Sequence, residues 1–207
     1  MKNKKLQVYE EKYGHIDKDF NSRFITLLKT LKITDKDMRK IKERIKEILR
    51  IRKKTLSFVF YFTPQATPRP RYSKFTKSFY VKNQLDYNKL FKEYLDNEDI
   101  KIKIVTPCEF KCVTYMPTPS GMNRTEKVLA ELGLIKNISK PDWDNLGKTY
   151  SDMIQKHLIL DDAIIYKGTS EKLYSGKPRI EITLTYYEDF DSKYNRTKIM
   201  KNKYFNE

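Results

Sequence analysis

Residues 55–62 read TLSFVFYF, eight uncharged residues in succession in a chain of 207 of which 34% are charged. The run is β-branched and aromatic enough to predict a central strand of a sheet. It leads into TPQATPRPRYSK, where Pro64, Pro68 and Pro70 exclude regular structure and a positively charged loop begins. Beyond the loop, helical and strand periods alternate. Residues 82–96 show helical spacing through Leu85, Leu90, Tyr94 and Leu95, and residues 100–116 alternate like one strand or a pair. Residues 117–139 form a long insertion with a short helix near 124–132, and a helix over about 145–157 precedes LILDD. Two strand-like runs, AIIYKGTSEKLY and KPRIEITLTYY, close the pattern, joined by a tight turn at Ser175-Gly176. The order β, α, β or ββ, α, β, β predicts an α+β fold.

Charge is distributed unevenly. The chain holds 43 Lys+Arg against 27 Asp+Glu, a net +16, which favours polyanionic partners and makes nucleic acid the first to consider. Residues 1–54 hold 18 of the basic residues and 8 of the acidic ones, so this segment carries +10. Its apolar positions Phe24, Leu27, Leu31, Met38, Ile41, Ile45 and Ile48 fit two helices, 18–32 and 35–51, with Thr34 as the N-cap between them. The simpler reading packs their apolar faces on the core and leaves the lysines solvated; a DNA-gripping or dimerising arm is the alternative. Three parts are expected: a basic helical extension (1–54), the main domain (55–188) and a polar tail (189–207). With no run of about 20 apolar residues and no signal-like start, the reading is a soluble intracellular (cytoplasmic) protein.

Cys108 and Cys112 fall on one side of a strand with no second pair to complete a zinc site, so they read as reduced structural thiols. His15 and His157 are too far apart to suggest a ligand pair, and read as ordinary surface or packing residues. Tyr174, Tyr186 and Tyr187 read as core and strand-pair residues.

The chemistry gathers at KPDWDNLGK (140–148). Two residues apart in a helix interior, Asp142 and Asp144 would point to nearly opposite sides. Pro141 biases the chain to extend there, which predicts Asp144 as N-cap of a helix beginning at Asn145 and leaves both carboxylates near its start. Lys148 lies one turn beyond Asp144 on the same face. Two bare carboxylates at 4 Å repel by about 4 kcal/mol at an effective dielectric of 20; a hard divalent cation removes that cost. Oxygen ligands favour Mg²⁺ or Mn²⁺, whose shell substrate phosphates complete, which is the logic of metal-assisted phosphodiester hydrolysis. A third acid is available in Asp161-Asp162. A calcium loop counted from Asp142 has a suitable Gly147 at position 6 but Leu146 at position 5 and Met153 at position 12, where a bidentate Glu belongs. Taken alone, the pair reads as an N-cap and a surface acid; the surrounding pattern reverses that.

KPDWDNLGK, then LDD at 160–162, then KPRIEITLTY at 177–186 resembles the RusA family of Holliday junction resolvases, with the upstream TPRPRYSK similar to that family's basic loop. The resemblance spans about 56–187. It implies a mixed sheet flanked by helices, here with an added N-terminal helical segment. It also implies Asp142, Asp144 and Asp162 as metal-holding catalytic carboxylates and Lys148 as the essential lysine. The expected cofactor is Mg²⁺, with Mn²⁺ as substitute. The expected activity is symmetric nicking of four-way DNA junctions by a homodimer, in recombination and repair. Trp143 stands where the family has an aliphatic residue, and the +10 segment has no family counterpart.

Four further cations are candidates for DNA contact: Arg69, Arg71 and Lys74 in the irregular loop, suited to bidentate phosphate contacts, and Lys140 beside the acidic pair. Trp143 reads as a packing anchor rather than a base-stacking probe. A helix of about 13 residues is close to 20 Å long, so Asp162 begins far from Asp142. Either the partner subunit's pair takes up Asp162, or LILDD folds back to close the site within one chain. A non-catalytic duplex- or branched-DNA binder, and a nuclease for flaps or single strands, are the rival functions.

Overall fold

The computed structural model describes residues 30–67, 71–73, 78–80 and 86–188, together with Arg23 and residues 26–28. The chain divides between Arg52 and Lys53 into two units.

In the first unit, helix α1 (Asp35–Arg50) begins where the sequence predicts. Thr34 accepts a hydrogen bond from the Asp37 amide while the Asp37 carboxylate accepts from the Thr34 amide, a reciprocal cap that satisfies two otherwise orphaned donors. None of its residues is buried; of the apolar stripe, Met38, Ile41 and Ile45 are half-buried and Ile48 is exposed. Of the preceding predicted helix (18–32), residues 23, 26–28 and 30 are helical, Leu31 and Lys32 form a turn, and the rest lies outside the described residues.

The second unit is an α+β domain built on a mixed four-stranded sheet. Its elements are β1 (Lys53–Phe60), β2 (Arg71–Ser73), β3 (Ser78–Tyr80), α2 (Tyr87–Asn97), β4 (Cys108–Pro117), α3 (Arg124–Glu131), α4 (Trp143–His157), a 3₁₀ turn (Asp162–Ile164), β5 (Ile165–Ser175) and β6 (Arg179–Tyr187). The sheet order is β1-β6-β4-β5, with β4 and β5 parallel and the other pairs antiparallel. Three expectations are corrected here. The apolar run at 55–62 forms an edge strand, not a central one: Phe58 and Phe60 are buried while Thr55, Ser57 and Val59 face outward. Its aromatic content supplies one face of a strand, and the continuous run conceals the alternation. The segments joined at Ser175-Gly176 do not pair with each other, because the connection crosses the end of β4 and β6 inserts between β4 and β1. Glu131 holds that crossing, accepting from the Ser175 hydroxyl (2.8 Å) and the Gly176 amide (2.7 Å). The proline-rich loop also contains a short antiparallel pairing, β2 with β3, that the prolines obscure.

One face of the sheet carries the core. Phe110, Cys112, Met116, Ile180, Ile182 and Leu184 are buried there, beneath α2 and α4. Aromatic side chains join α2 to β1, Phe91 meeting Phe58 and Phe60 edge to face at 5.8 and 5.3 Å. Both cysteines are free and buried, and burial pushes the Cys108 thiol up to about 11 and the Cys112 thiol up to about 12, in keeping with structural thiols. Tyr174 and Tyr186 are core residues as expected. His157 packs edge to face on Phe91, and burial and neighbouring lysines lower its pKa. The opposite face is open and bears a hydroxyl ladder in which Thr55 meets Thr185 at 3.1 Å. No described helix is long and apolar enough to cross a membrane.

Candidate active site

Helix α4 starts two residues earlier than the sequence suggests. Asp142, not Asp144, takes the N-cap position, with extended backbone (φ −67°, ψ 145°), and Asp144 lies in the first turn. The extended step that follows Pro141 ends at Asp142, two residues sooner than expected, so Trp143 is already helical. Both carboxylates still sit at the helix start, where exposed amides and the helix dipole favour negative charge. Asp142 makes no capping hydrogen bond, so its carboxylate is uncommitted in a place where most aspartates are spent on the backbone. Asp144, Lys148 and Lys140 are exposed, and none of them forms an ion pair among the described residues.

Strand β5 and a locked loop set the position of this helix start. The Ser170 hydroxyl donates to the Trp143 carbonyl (3.1 Å), and the Lys172 ammonium donates to the Pro141 carbonyl (2.9 Å) and, more closely, to that of Ser139. Asn137, buried, accepts from the Ser139 amide (3.1 Å) and hydroxyl (2.8 Å). Gly147 allows the close approach: a Cβ there would stand 3.0 Å from the Ser170 Cβ.

The other flank of α4 carries residues that sequence reading overlooks. The Thr149 hydroxyl accepts from the Thr67 amide (2.7 Å), Asn145 donates to the Thr67 carbonyl (3.3 Å), and the Tyr150 hydroxyl donates to the Gln65 carbonyl (3.0 Å). Three side chains of one helix thus zip down residues 65–67, the segment that enters the basic loop. The i, i+4, i+5 spacing of Asn145, Thr149 and Tyr150 was the available signal, but polar residues on a helix give no clue to a distant backbone partner. Of the candidate DNA contacts, Arg69 and Lys74 lie outside the described residues. Arg71 opens β2 and is described in its backbone alone.

Asp162 stands apart from the acidic pair. Helix α4 has 15 residues and runs for about 22 Å; Asp162 follows shortly after its C-terminal end. Strand β5 then returns, and only at Ser170 does it reach the start of α4; Ile165 to Ser170 alone spans about 17 Å of strand. The three acids therefore occupy opposite ends of one helix. Among the described residues no three His, Cys, Asp or Glu side chains form a group able to hold a metal ion. LILDD does not fold back to close the gap: it is extended, held by parallel pairing to Ile104 through bonds of 2.7 and 2.9 Å. The second of its aspartates opens the 3₁₀ turn, while Asp161 caps it by accepting from the Ala163 amide (2.9 Å).

Trp143, expected to anchor packing, is 62% exposed. It is the first residue of the helix.

The second unit is thus a mixed sheet flanked by helices, one of which carries two aspartates and a lysine in its opening turns. A family model described as endodeoxyribonuclease RusA matches residues 62–185, somewhat inside the span that the motifs suggested. The chain belongs to the RusA endodeoxyribonuclease family, and is a nuclease by that membership. It is also 27% identical over 135 residues to "Uncharacterized protein YqaN" of Bacillus subtilis (strain 168), a match that covers 62% of this chain and 94% of that protein.

Proposed function

We propose that this protein is a divalent-metal-dependent endonuclease that resolves four-way DNA junctions by paired nicks. One observation carries the reading: within the span of the family match, two exposed carboxylates, one of them uncapped, project from the start of α4 beside Lys148. This donor set suits Mg²⁺ or Mn²⁺, which bind through one or two carboxylates and complete their shell with water and substrate phosphate. Bound there, the ion supplies an activated water and offsets charge on the phosphoryl group.

The remaining roles belong to side chains of this chain. Asp142 and Asp144 hold the ion at the helix start. Lys148, one turn along from Asp144, faces the same side and stabilises the scissile phosphate or the leaving oxygen. Lys140 and the basic loop of Arg69, Arg71 and Lys74 clamp the strand by phosphate contacts, which fix register without reading sequence. Asp162, at the far end of α4, enters the site of the partner subunit in a homodimer, so each ion would be held by acids from two chains. Such an arrangement ties cleavage to dimer formation and suits two cuts placed symmetrically.

The decisive measurement is incubation with a labelled synthetic four-way junction with and without Mg²⁺, beside a linear duplex and a flap of the same sequence. Metal-dependent, symmetric nicking of the junction is expected. Tight binding with no metal-dependent nicking would instead identify a non-catalytic branched-DNA binder.

A further inference from the structure

The segment from Asn137 to Trp143 combines a fixed backbone with side chains left in water. The carbonyls of Ser139, Pro141 and Trp143 are all taken up by Lys172 and Ser170, and Asn137 ties the segment to β5 through a bond to the Leu173 carbonyl (3.3 Å). Yet Ile138 is 93% and Trp143 62% exposed. Single exposed apolar residues are ordinary. An indole left in water on a backbone already held by hydrogen bonds, directly between two candidate metal-holding carboxylates in sequence, is not.

We propose that Trp143 is a stacking platform for an unpaired base next to the scissile phosphate, and that it makes the enzyme selective for branched over linear DNA. The inference rests on the reading of Asp142 and Asp144 as a phosphodiester site. A phosphate held at those carboxylates carries its own base on the adjoining sugar, within reach of an aromatic ring on the intervening residue. Lys140 and Lys148 flank the two acids in sequence and Lys172 donates to the Pro141 carbonyl just before them, so an anionic strand is attracted. Stacking on an aromatic ring accepts any base. Discrimination then arises on the DNA side: a base at a branch point is readily unstacked, whereas one inside a continuous duplex must first be extracted, at a cost.

Trp143 is the sole tryptophan of the sequence, so the emission of the unmodified protein reports on this side chain alone. Titrations in EDTA compare a four-way junction with a linear duplex of equal length, at a fixed protein concentration. The junction is expected to quench emission strongly and the duplex weakly. Trp143→Ala should weaken junction binding about 5- to 150-fold with little effect on duplex binding, and Trp143→Phe should retain most of the preference. Equal quenching by both DNAs, or an unaltered junction-to-duplex ratio in Trp143→Ala, overturns the proposal. Because the titration needs no cleavage, quenching without metal-dependent nicking would refute the catalytic reading alone, and nicking without quenching would refute the stacking role alone.

Discussion

Asp142 shows how little a residue's type says about its use. An aspartate at an N-cap ordinarily accepts from an amide of the first turn, and removing it weakens the helix by about 1 kcal/mol. Here that bond is not made, so Asp142→Asn should leave the thermal midpoint almost unchanged. Cleavage should fall much further: side chains that only support metal ligands cost about 10- to 100-fold when lost, so loss of a ligand should cost on the order of 1,000-fold or more. Junction affinity in EDTA, measured alongside, should persist. A parallel loss of stability and activity would point to a structural aspartate. The place of the paired acids and the lysine at the start of a helix, and of the cysteines on a buried strand, could be read because spacing along one element is local. Trp143 was misread because a large apolar residue usually signals burial, whereas its exposure depends on what the rest of the fold sets beside the helix start.

Glu109 on β4 shows charge acting at the scale of an element. The Tyr166 hydroxyl and then the Lys53 ammonium hold its carboxyl down to about 2, from an ordinary 4.5. Lys53 lies at the start of β1 and donates at 2.9 Å, while Tyr166 and Lys167, which donates at 3.3 Å, lie on β5. The carboxylate thereby bridges three of the four strands. Since the folded value lies below the unfolded one, the contribution is complete above about pH 4.5 and is lost as pH falls toward 2. Thermal midpoints of Glu109→Gln should thus lie below those of the parent at neutral pH and converge with them near pH 2. Helix α4 offers a second test. Alanine normally improves a helix over glycine by about 1 kcal/mol, but at Gly147 the added Cβ would meet Ser170 at 3.0 Å. Gly147→Ala is expected to lower both the thermal midpoint and the cleavage rate, and Ser170→Gly in the same chain should recover part of the midpoint. The helices and strands themselves were largely readable from period, whereas β1's place at the edge and the absence of a β5–β6 hairpin were not. Both depend on which strands neighbour each other, and period 2 fixes a strand's faces without fixing its neighbours.

At the scale of the whole molecule, the separation of Asp162 from the Asp142–Asp144 pair along α4 sets the strongest expectation. If each site draws on two subunits, Asp142→Asn and Asp162→Asn chains are inactive alone, yet a mixed dimer assembles one intact site and one doubly defective site. Mixing the two inactive proteins should restore nicking of a single strand, up to about a quarter of the parental rate if half the dimers are mixed and carry one site of two; denaturing gels of a labelled junction report it. No recovery after verified subunit exchange would place all three acids in one chain.

The strand order also bears on how the molecule comes into being. Ile180, Ile182 and Leu184, all fully buried, belong to the strand that joins β1 to β4, and it is the last of the sheet in sequence. On the ribosome, β1 must therefore wait for more than a hundred further residues before its sheet neighbour among the described strands emerges. The nascent chain spends that interval with an aromatic strand unpaired, so its refuge from aggregation during synthesis depends on α2 covering Phe58 and Phe60 first.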